Sequence, residues 1–264
     1  MTPHIYSLYS GSVGNSYLIR TDEGAILLDA GKNTKKLCEA LALCNTSPED
    51  IRAIFITHEH GDHIGALPVF LKRYPVPVHI VEKSAYALRN APAAAPCLRL
   101  HTPVFTETVC GMTVRSFPTP HDSEASVGYR IDVPCGEKTL RLGYATDIGH
   151  VSPAIEDAIT GCDAVILESN HDLDMLHTGP YPPSLKQRIA SRYGHLSNAD
   201  SASFAERLCE TGTKSIMLAH LSQENNTPEE AIAAHTPWQS RHPHIHLSVA
   251  SPDRVTELIT EGIL

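Results

Sequence analysis

Nowhere in these 264 residues do two cysteines stand as Cys-x-x-Cys. The seven that occur, Cys38, Cys44, Cys97, Cys110, Cys135, Cys162 and Cys209, are odd in number. This argues against a disulfide framework and against a structural zinc ribbon. It leaves them as small core residues in a reducing compartment. No stretch approaches the roughly 18 apolar residues that a membrane span needs. Residues 1–20 lack a basic start followed by an apolar run, so no signal peptide is expected and the cytoplasm is the expected location. Neither Gly-x-Gly-x-x-Gly nor a P-loop occurs. Positive charge is scarce, with 21 Lys and Arg against 30 Asp and Glu, a formal net charge of -9. Such a chain is not a general coat for nucleic acid, because phosphate binding wants a basic field. A nuclease remains open, since two divalent ions would supply their own positive charge at the site.

What is present is an ordinary globular mixture, 42% hydrophobic and 19% charged, on a chain long enough for one large domain or two small ones. Alternation and turn residues predict strands over 4–9, 15–20, 25–29 and 52–57. Further strands are predicted over 76–81, 104–117, 126–133, 139–146, 164–168, 215–219 and 244–250. Helical spacing predicts helices over 34–43, 64–74, 84–89, 152–160, 183–192, 197–209 and 228–234. Residues 90–96 are the best loop. No short repeat appears, and no linker is long enough to separate two domains. The pattern predicts an α/β fold, two mixed sheets facing each other with helices outside, as one domain over 1–264.

The chemistry concentrates in Thr57-His58-Glu59-His60-Gly61-Asp62-His63. Four ligand-type side chains, His58, His60, Asp62 and His63, follow a buried strand within six residues. Imidazole and carboxylate suit zinc, iron or manganese. The spacing is not that of a zincin, whose His-Glu-x-x-His needs a histidine four after the first; here that residue is Asp62. In an extended turn His58 and His60 share one side. Asp62 and His63 open the next helix and can point to a second position. More ligands are needed, and three predicted strands each deliver one at the carboxyl end: His121, Asp147 and His220. Asp29, at another strand end, reads either as a carboxylate orienting a ligand histidine or as a simple turn aspartate. Ser10-Gly-Ser-Val-Gly14 is a poor nucleophile elbow, because its first position is serine and a strand follows it. Bound metal lowers the pKa of water from 15.7 to about 7, roughly 12 kcal/mol at about 1.36 kcal/mol per unit. No serine here could match that without a triad.

The motif Thr57–His63, with Asp29 upstream and His121, Asp147 and His220 downstream, resembles the metallo-β-lactamase superfamily over nearly the whole chain. Ser10-Gly-Ser-x-Gly-Asn15, Thr146-Asp147-Ile-Gly149, Glu168-Ser-Asn-His-Asp172, Gly194-His-Leu-Ser-Asn198 and Ala219-His-Leu-Ser222 with Asn225-Asn226 look like its YycJ/WalJ group. That group is regarded as bacterial 5′-to-3′ DNA exonucleases and is more distantly related to RNase Z and RNase J. The resemblance implies a four-layer αββα sandwich and a dinuclear metal-dependent hydrolase, a phosphodiesterase or nuclease in which metal-activated water attacks phosphorus. It implies two divalent ions, Zn2+ or Mn2+ with Fe also admissible, and nucleic acid as substrate, DNA before RNA. By the same resemblance His58, His60 and His121 hold one ion, Asp62, His63 and His220 the other, and Asp147 bridges both. Asp62 would also orient the water. Glu168 and His195 resemble a pair in which the glutamate supports a histidine beside the scissile phosphate. His171 receives no role beyond the pocket wall. The stretch between Asp147 and His220 leaves no room for the inserted β-CASP clamp domain of RNase J types, and the long flexible arm of RNase Z is not seen.

Lys186, Arg188 and Arg192 fall on one predicted helix, with Arg188 and Arg192 on one face. They read equally as a solvated face or as a phosphate rim. Tyr181 and Tyr193 read as buried packing, with base stacking as the alternative. The rival functions are a hydrolase for thioesters, lactones or β-lactams, a di-iron redox scaffold, and a metal-binding module without catalysis. The scaffold normally needs a flavin partner.

Overall fold

Residues 3–260, 262 and 263 are described in a computed structural model. The first half of the chain supplies β1 (His4–Tyr9), β2 (Ser16–Thr21), β3 (Gly24–Leu28), β4 (Ile51–Phe55), β5 (Val78–Val81) and β6 (Leu98–His101). The second half supplies β7 (Thr106–Val109), β8 (Met112–Pro118), β9 (Val127–Cys135), β10 (Lys138–Ala145), β11 (Ala164–Glu168), β12 (Ser215–Ala219) and β13 (His246–Val249). β14 (Thr256–Leu258) returns to pair with β1. Among the described residues these make two seven-stranded sheets, ordered β14-β1-β2-β3-β4-β5-β6 and β13-β12-β11-β10-β9-β8-β7. Both are mixed, as expected: β3 to β6 run parallel, as do β10 to β13, beside antiparallel strands.

Side chains alternate across a strand, so each strand serves two cores. Ile19, Ile26, Leu28, Phe55, Tyr129, Tyr144, Ile166 and Met217 fill the space between the sheets. Leu18, Leu27 and Ile54 face outward and meet Leu37, Leu41, Phe70 and Leu71 from helices Thr34–Leu43 and Leu67–Arg73. On the other outer face Val165, Leu167, Ile216 and Leu218 meet Ile155, Phe204, Leu208 and Trp238. Those come from helices Pro153–Ile159, Asn198–Glu210 and Pro228–Gln239. Burial on both faces explains why these strands read as unbroken apolar runs. The result is the four-layer αββα sandwich. No helix of the described residues is long and apolar enough to cross a membrane. All seven cysteines are free thiols.

Several elements differ from the sequence reading. The single strand expected over 104–117 is a hairpin, β7 and β8 around Cys110 and Gly111. β6, β14 and helix Leu173–Thr178 went unforeseen, each too short to show a period. The helix expected over 64–74 is split into Gly61–Ile64 and Leu67–Arg73. The last helix runs on past Pro237 because buried His235 and Trp238 hold it in the core.

Candidate metal centre

Parallel neighbours in a sheet end at the same edge, and here those edges carry the chemistry. β10, β11 and β12 lie side by side and lead directly into Asp147, Glu168 and His220. β8 runs in the same direction and leads to His121. From the facing sheet, β3 leads to Asp29, and β4 to Thr57 and His58. Helix Gly61–Ile64 then starts at His60 and sets Asp62 and His63 in its single turn. Asp29, Asp147 and His220 all have left-handed backbone, with φ of 60°, 55° and 56°. That turns the strand ends abruptly into the space between the sheets.

All the residues expected to bind metal meet there. Ligand-type atoms of His58, His60 and His121 lie within 4.8 Å of one another; so do those of Asp62, His63 and His220, and those of His58, His63 and Asp147. Asp147 spans the groups: its Oδ2 is 3.3 Å from His63 Nε2, and its Oδ1 is 3.5 Å from His220 Nε2 and 3.8 Å from His121 Nε2.

Four of the five histidines are oriented through the far nitrogen. His121 Nδ1 donates to the carbonyl of Gly194 at 3.1 Å. His220 Nδ1 lies 3.2 Å from Glu168 Oε1. His58 Nδ1 lies 3.0 Å from Thr57 Oγ1. His63 Nδ1 donates to Asp29 Oδ2 at 2.9 Å. Asp29 also accepts from Thr57 N at 2.8 Å and Tyr144 OH at 3.0 Å. This selects the orienting role for Asp29 over the turn role. What remains inside is unpartnered: His58 Nε2, His121 Nε2, His220 Nε2 and Asp147 Oδ2 are buried without a hydrogen-bond partner. An unsatisfied buried polar atom costs about 1–3 kcal/mol. Four aimed at one space, together with the nearby carboxylate of Asp62, form a donor set that a divalent cation fits.

The electrostatics agree. Burial disfavours charge on His220, yet Asp147, Asp62 and Glu168 hold its pKa up at about 10. Burial opposes charge on His63 too, but Asp147 and Asp29 keep it well above the ordinary value. Burial and neighbouring His63 push His58 well below it. Burial alone would raise Asp147, but His220 and His63 hold it well below the usual carboxylate range. Positive charge is thus concentrated wherever this carboxylate-rich centre can hold it.

Glu168 is fully buried. Its Oε1 accepts from His195 Nδ1 at 2.7 Å, and its Oε2 accepts from Ile148 N at 2.7 Å and Leu196 N at 3.2 Å. Burial works to raise its pKa, but His195 and His220 bring it down to about 2. His195 is partly exposed and lines a cleft of about 180 Å3 beside the centre, together with Asn170, Asp122 and Arg188. His171 is buried, and its Nδ1 has no partner; it does not line that cleft.

Sequence reasoning reached Asp29 but missed other residues that hold the ligands. Asn15 Nδ2 lies 3.2 Å from Asp62 Oδ2 and 3.0 Å from His63 Nε2. Ser10 Oγ accepts from the backbone N of His220 at 2.8 Å. Both sit in the Ser10–Asn15 motif, which was visible but had no assigned role. Gly31 is required by close approach: a Cβ there would lie 1.9 Å from Asp62 O and 2.6 Å from Asn15 N. Tyr181 and Tyr193 are not buried packing. Tyr193 is 62% exposed and Tyr181 lines the cleft, because residues 177–193 contain no buried residue at all.

Comparison with known proteins agrees with this geometry. The profile of the metallo-beta-lactamase superfamily matches residues 9–158. Exodeoxyribonuclease WalJ of Streptococcus pneumoniae serotype 2 (strain D39 / NCTC 7466) is 38% identical over 228 residues, 85% of this chain and 83% of that protein. Exodeoxyribonuclease YycJ of Bacillus anthracis is 35% identical over 230 residues, 86% of each. The crystal structure of the metallo-beta-lactamase fold protein YhfI from Bacillus subtilis superposes with a TM-score of 0.71 at 17% identity, covering 97% of this chain and 100% of that one. At that identity the likeness speaks for the fold alone. The chain belongs to the metallo-β-lactamase superfamily, in the group that contains WalJ and YycJ.

Proposed function

We propose that this chain is a metal-dependent phosphodiesterase that digests nucleic acid, DNA rather than RNA. The observation that carries the reading is the set of buried, unpartnered atoms on His58, His121, His220 and Asp147, all facing one space. His58, His60 and His121 would hold one divalent cation, Asp62, His63 and His220 a second, and Asp147 would touch both. Nitrogen and carboxylate donors suit zinc or manganese, and iron is accepted by the same set. Such cations polarise phosphoryl oxygens and bring the pKa of water from 15.7 towards about 7.

The protein's own groups supply the rest. Asp62, steadied by Asn15, would orient the attacking water. Glu168 accepts from Nδ1 of His195, so the His195 Nε2 side is left to meet the substrate. There it would stabilise charge on the phosphoryl group or give a proton to the leaving oxygen. The names of WalJ and YycJ support DNA as the substrate. The core shared by both sheets supports residues 1–264 as one unit without a clamp insertion. Seven free thiols support a reducing, cytoplasmic setting.

The test is metal analysis combined with digestion of end-labelled single- and double-stranded DNA, with and without a 5′-phosphate. Bound divalent metal and digestion of DNA, with no activity on acyl-glutathione or nitrocefin, is the expected result. Turnover of the acyl substrates without cleavage of DNA or bis-p-nitrophenyl phosphate would overturn it. His195→Ala should lower turnover by about 10²–10⁴-fold at unchanged metal content; loss of the metal instead would make His195 a ligand.

A further inference from the structure

The acidic chain has a long stretch without any acid beside the metal centre. From Met175 to Ala199 there is no Asp or Glu, while Lys186, Arg188 and Arg192 all fall within it. Within this stretch residues 177–193 contain no buried residue. Helix Pro183–Ile189 therefore lies on the surface, carrying no buried side chain of its own. Its position is fixed nonetheless. Arg188 pairs with Asp122, next to His121. The carbonyl of Arg192 accepts from His150 Nδ1 at 3.0 Å. The backbone of residues 192 and 193 lies so close to Gly149 that a Cβ there would sit 2.3 Å from Arg192 C and 2.5 Å from Tyr193 N.

This arm walls the cleft that His195 lines. Tyr181, Leu185, Arg188 and Ile189 form that wall. The cleft holds about 180 Å3, below the roughly 300 Å3 at which pockets begin to engulf a drug-sized ligand. It admits a phosphate and part of a sugar, so a base must rest on the rim. There the arm offers one ring in the wall, Tyr181, and one 62% exposed, Tyr193, with Lys186, Arg188 and Arg192 between them in the chain. Rings and cations set together are the means by which proteins hold single strands, stacking bases on aromatics and tracking phosphates with charge.

We propose that the arm over residues 177–193 is the track for a single DNA strand leading into the metal centre. Tyr181 stacks the base next to the scissile phosphate, and Lys186 and Arg192 hold the phosphates that follow. This rests on the phosphodiesterase reading above and adds to it where the polymer lies. It also gives a chain of net charge -9 a local patch of favourable charge for a polyanion.

The test uses the intact, metal-loaded protein and three variants, Tyr181→Ala, Tyr181→Phe and Lys186→Ala/Arg192→Ala. Each is assayed on bis-p-nitrophenyl phosphate and on a 5′-phosphorylated single-stranded DNA, with RNA of the same sequence alongside. Far-UV circular dichroism and thermal melting that match wild type show that all three fold. On DNA, Tyr181→Ala should lose affinity roughly fivefold or more, the scale of one stacked base. Tyr181→Phe, which keeps the ring, should not. The double variant should flatten the dependence of log affinity on log salt by about 1.4, since each phosphate of a single strand that a side chain neutralises adds about 0.7 to the slope. Unchanged DNA affinity in Tyr181→Ala and the double variant, with wild type digesting DNA, overturns the track and spares the phosphodiesterase. Losses confined to RNA overturn the choice of DNA strand. Wild type that cleaves the small ester but neither binds nor digests nucleic acid overturns both readings together.

Discussion

Replacing Glu168 by glutamine would preserve shape and change only charge and donors, so its cost follows from the hydrogen bonds around it. Glu168 takes four, from His195 Nδ1 and His220 Nδ1 on Oε1 and from Ile148 N and Leu196 N on Oε2. All four partners donate, whereas an amide has one oxygen. If that oxygen faces the backbone pair, the amide NH2 faces the two imidazoles. Each must then accept at Nδ1 and carry its proton at Nε2. For His220 this fixes a proton on Nε2, the buried atom without a partner that it would offer to a cation. If the oxygen faces the imidazoles instead, two backbone N–H groups in a fully buried place oppose another donor. Each unsatisfied group costs about 1–3 kcal/mol, so that arrangement costs roughly 2–6 kcal/mol of stability. The first route should dominate, and losing such a supporting partner lowers metal affinity about 10–100-fold. Zinc titration against a chromophoric chelator, with bis-p-nitrophenyl phosphate hydrolysis in parallel, measures both. Metal affinity within twofold of wild type, together with wild-type turnover, would refute the claim that Glu168 fixes the protons of its neighbours.

Two further variants test the frame rather than the chemistry. Asp29→Asn keeps a residue that tolerates left-handed backbone but places an NH2 among the donors Thr57, His63 and Tyr144. Urea unfolding should show a loss of about 2–3 kcal/mol; a change under 0.5 kcal/mol would mean these hydrogen bonds do not hold the strand end. His235 belongs to none of the candidate metal groups and is fully buried in the outer core, where burial pushes its pKa from 6.5 down to about 4. The unfolded chain therefore binds this proton more readily. The stability contributed is complete above pH 6.5 and is lost as pH falls towards 4, by about 2 kcal/mol at pH 5. His235→Gln should accordingly lose about 2 kcal/mol less than wild type between pH 7 and pH 5, and equal losses would refute the assignment.

The ligands were legible because metal binding demands particular side chains and the fold puts them at strand ends. His58, His60, Asp62 and His63 crowd one turn, and His121, Asp147 and His220 each close an apolar run. Apart from Asp29, their supports were not legible, because no local pattern tells which strand end Asn15, Ser10 or Thr57 will face. The arm over residues 177–193 was misread for a related reason. Two tyrosines and a helix suggest packing, and only the absence of anything to pack against shows otherwise. Short elements such as β6 and β14 lack the length for a period to register.

The left-handed backbone at Asp29, Asp147 and His220 lies beyond both kinds of reading. Asp and His visit that region more readily than most residues, but neither requires it. Each such position costs about 1–3 kcal/mol, and a glycine in its place would relieve much of that cost. A glycine would also remove an orienting carboxylate or a ligand atom. At these three positions the residue best for stability and the residue the centre needs differ. The fold can hold the second only because the strands leading into these turns are buried on both faces.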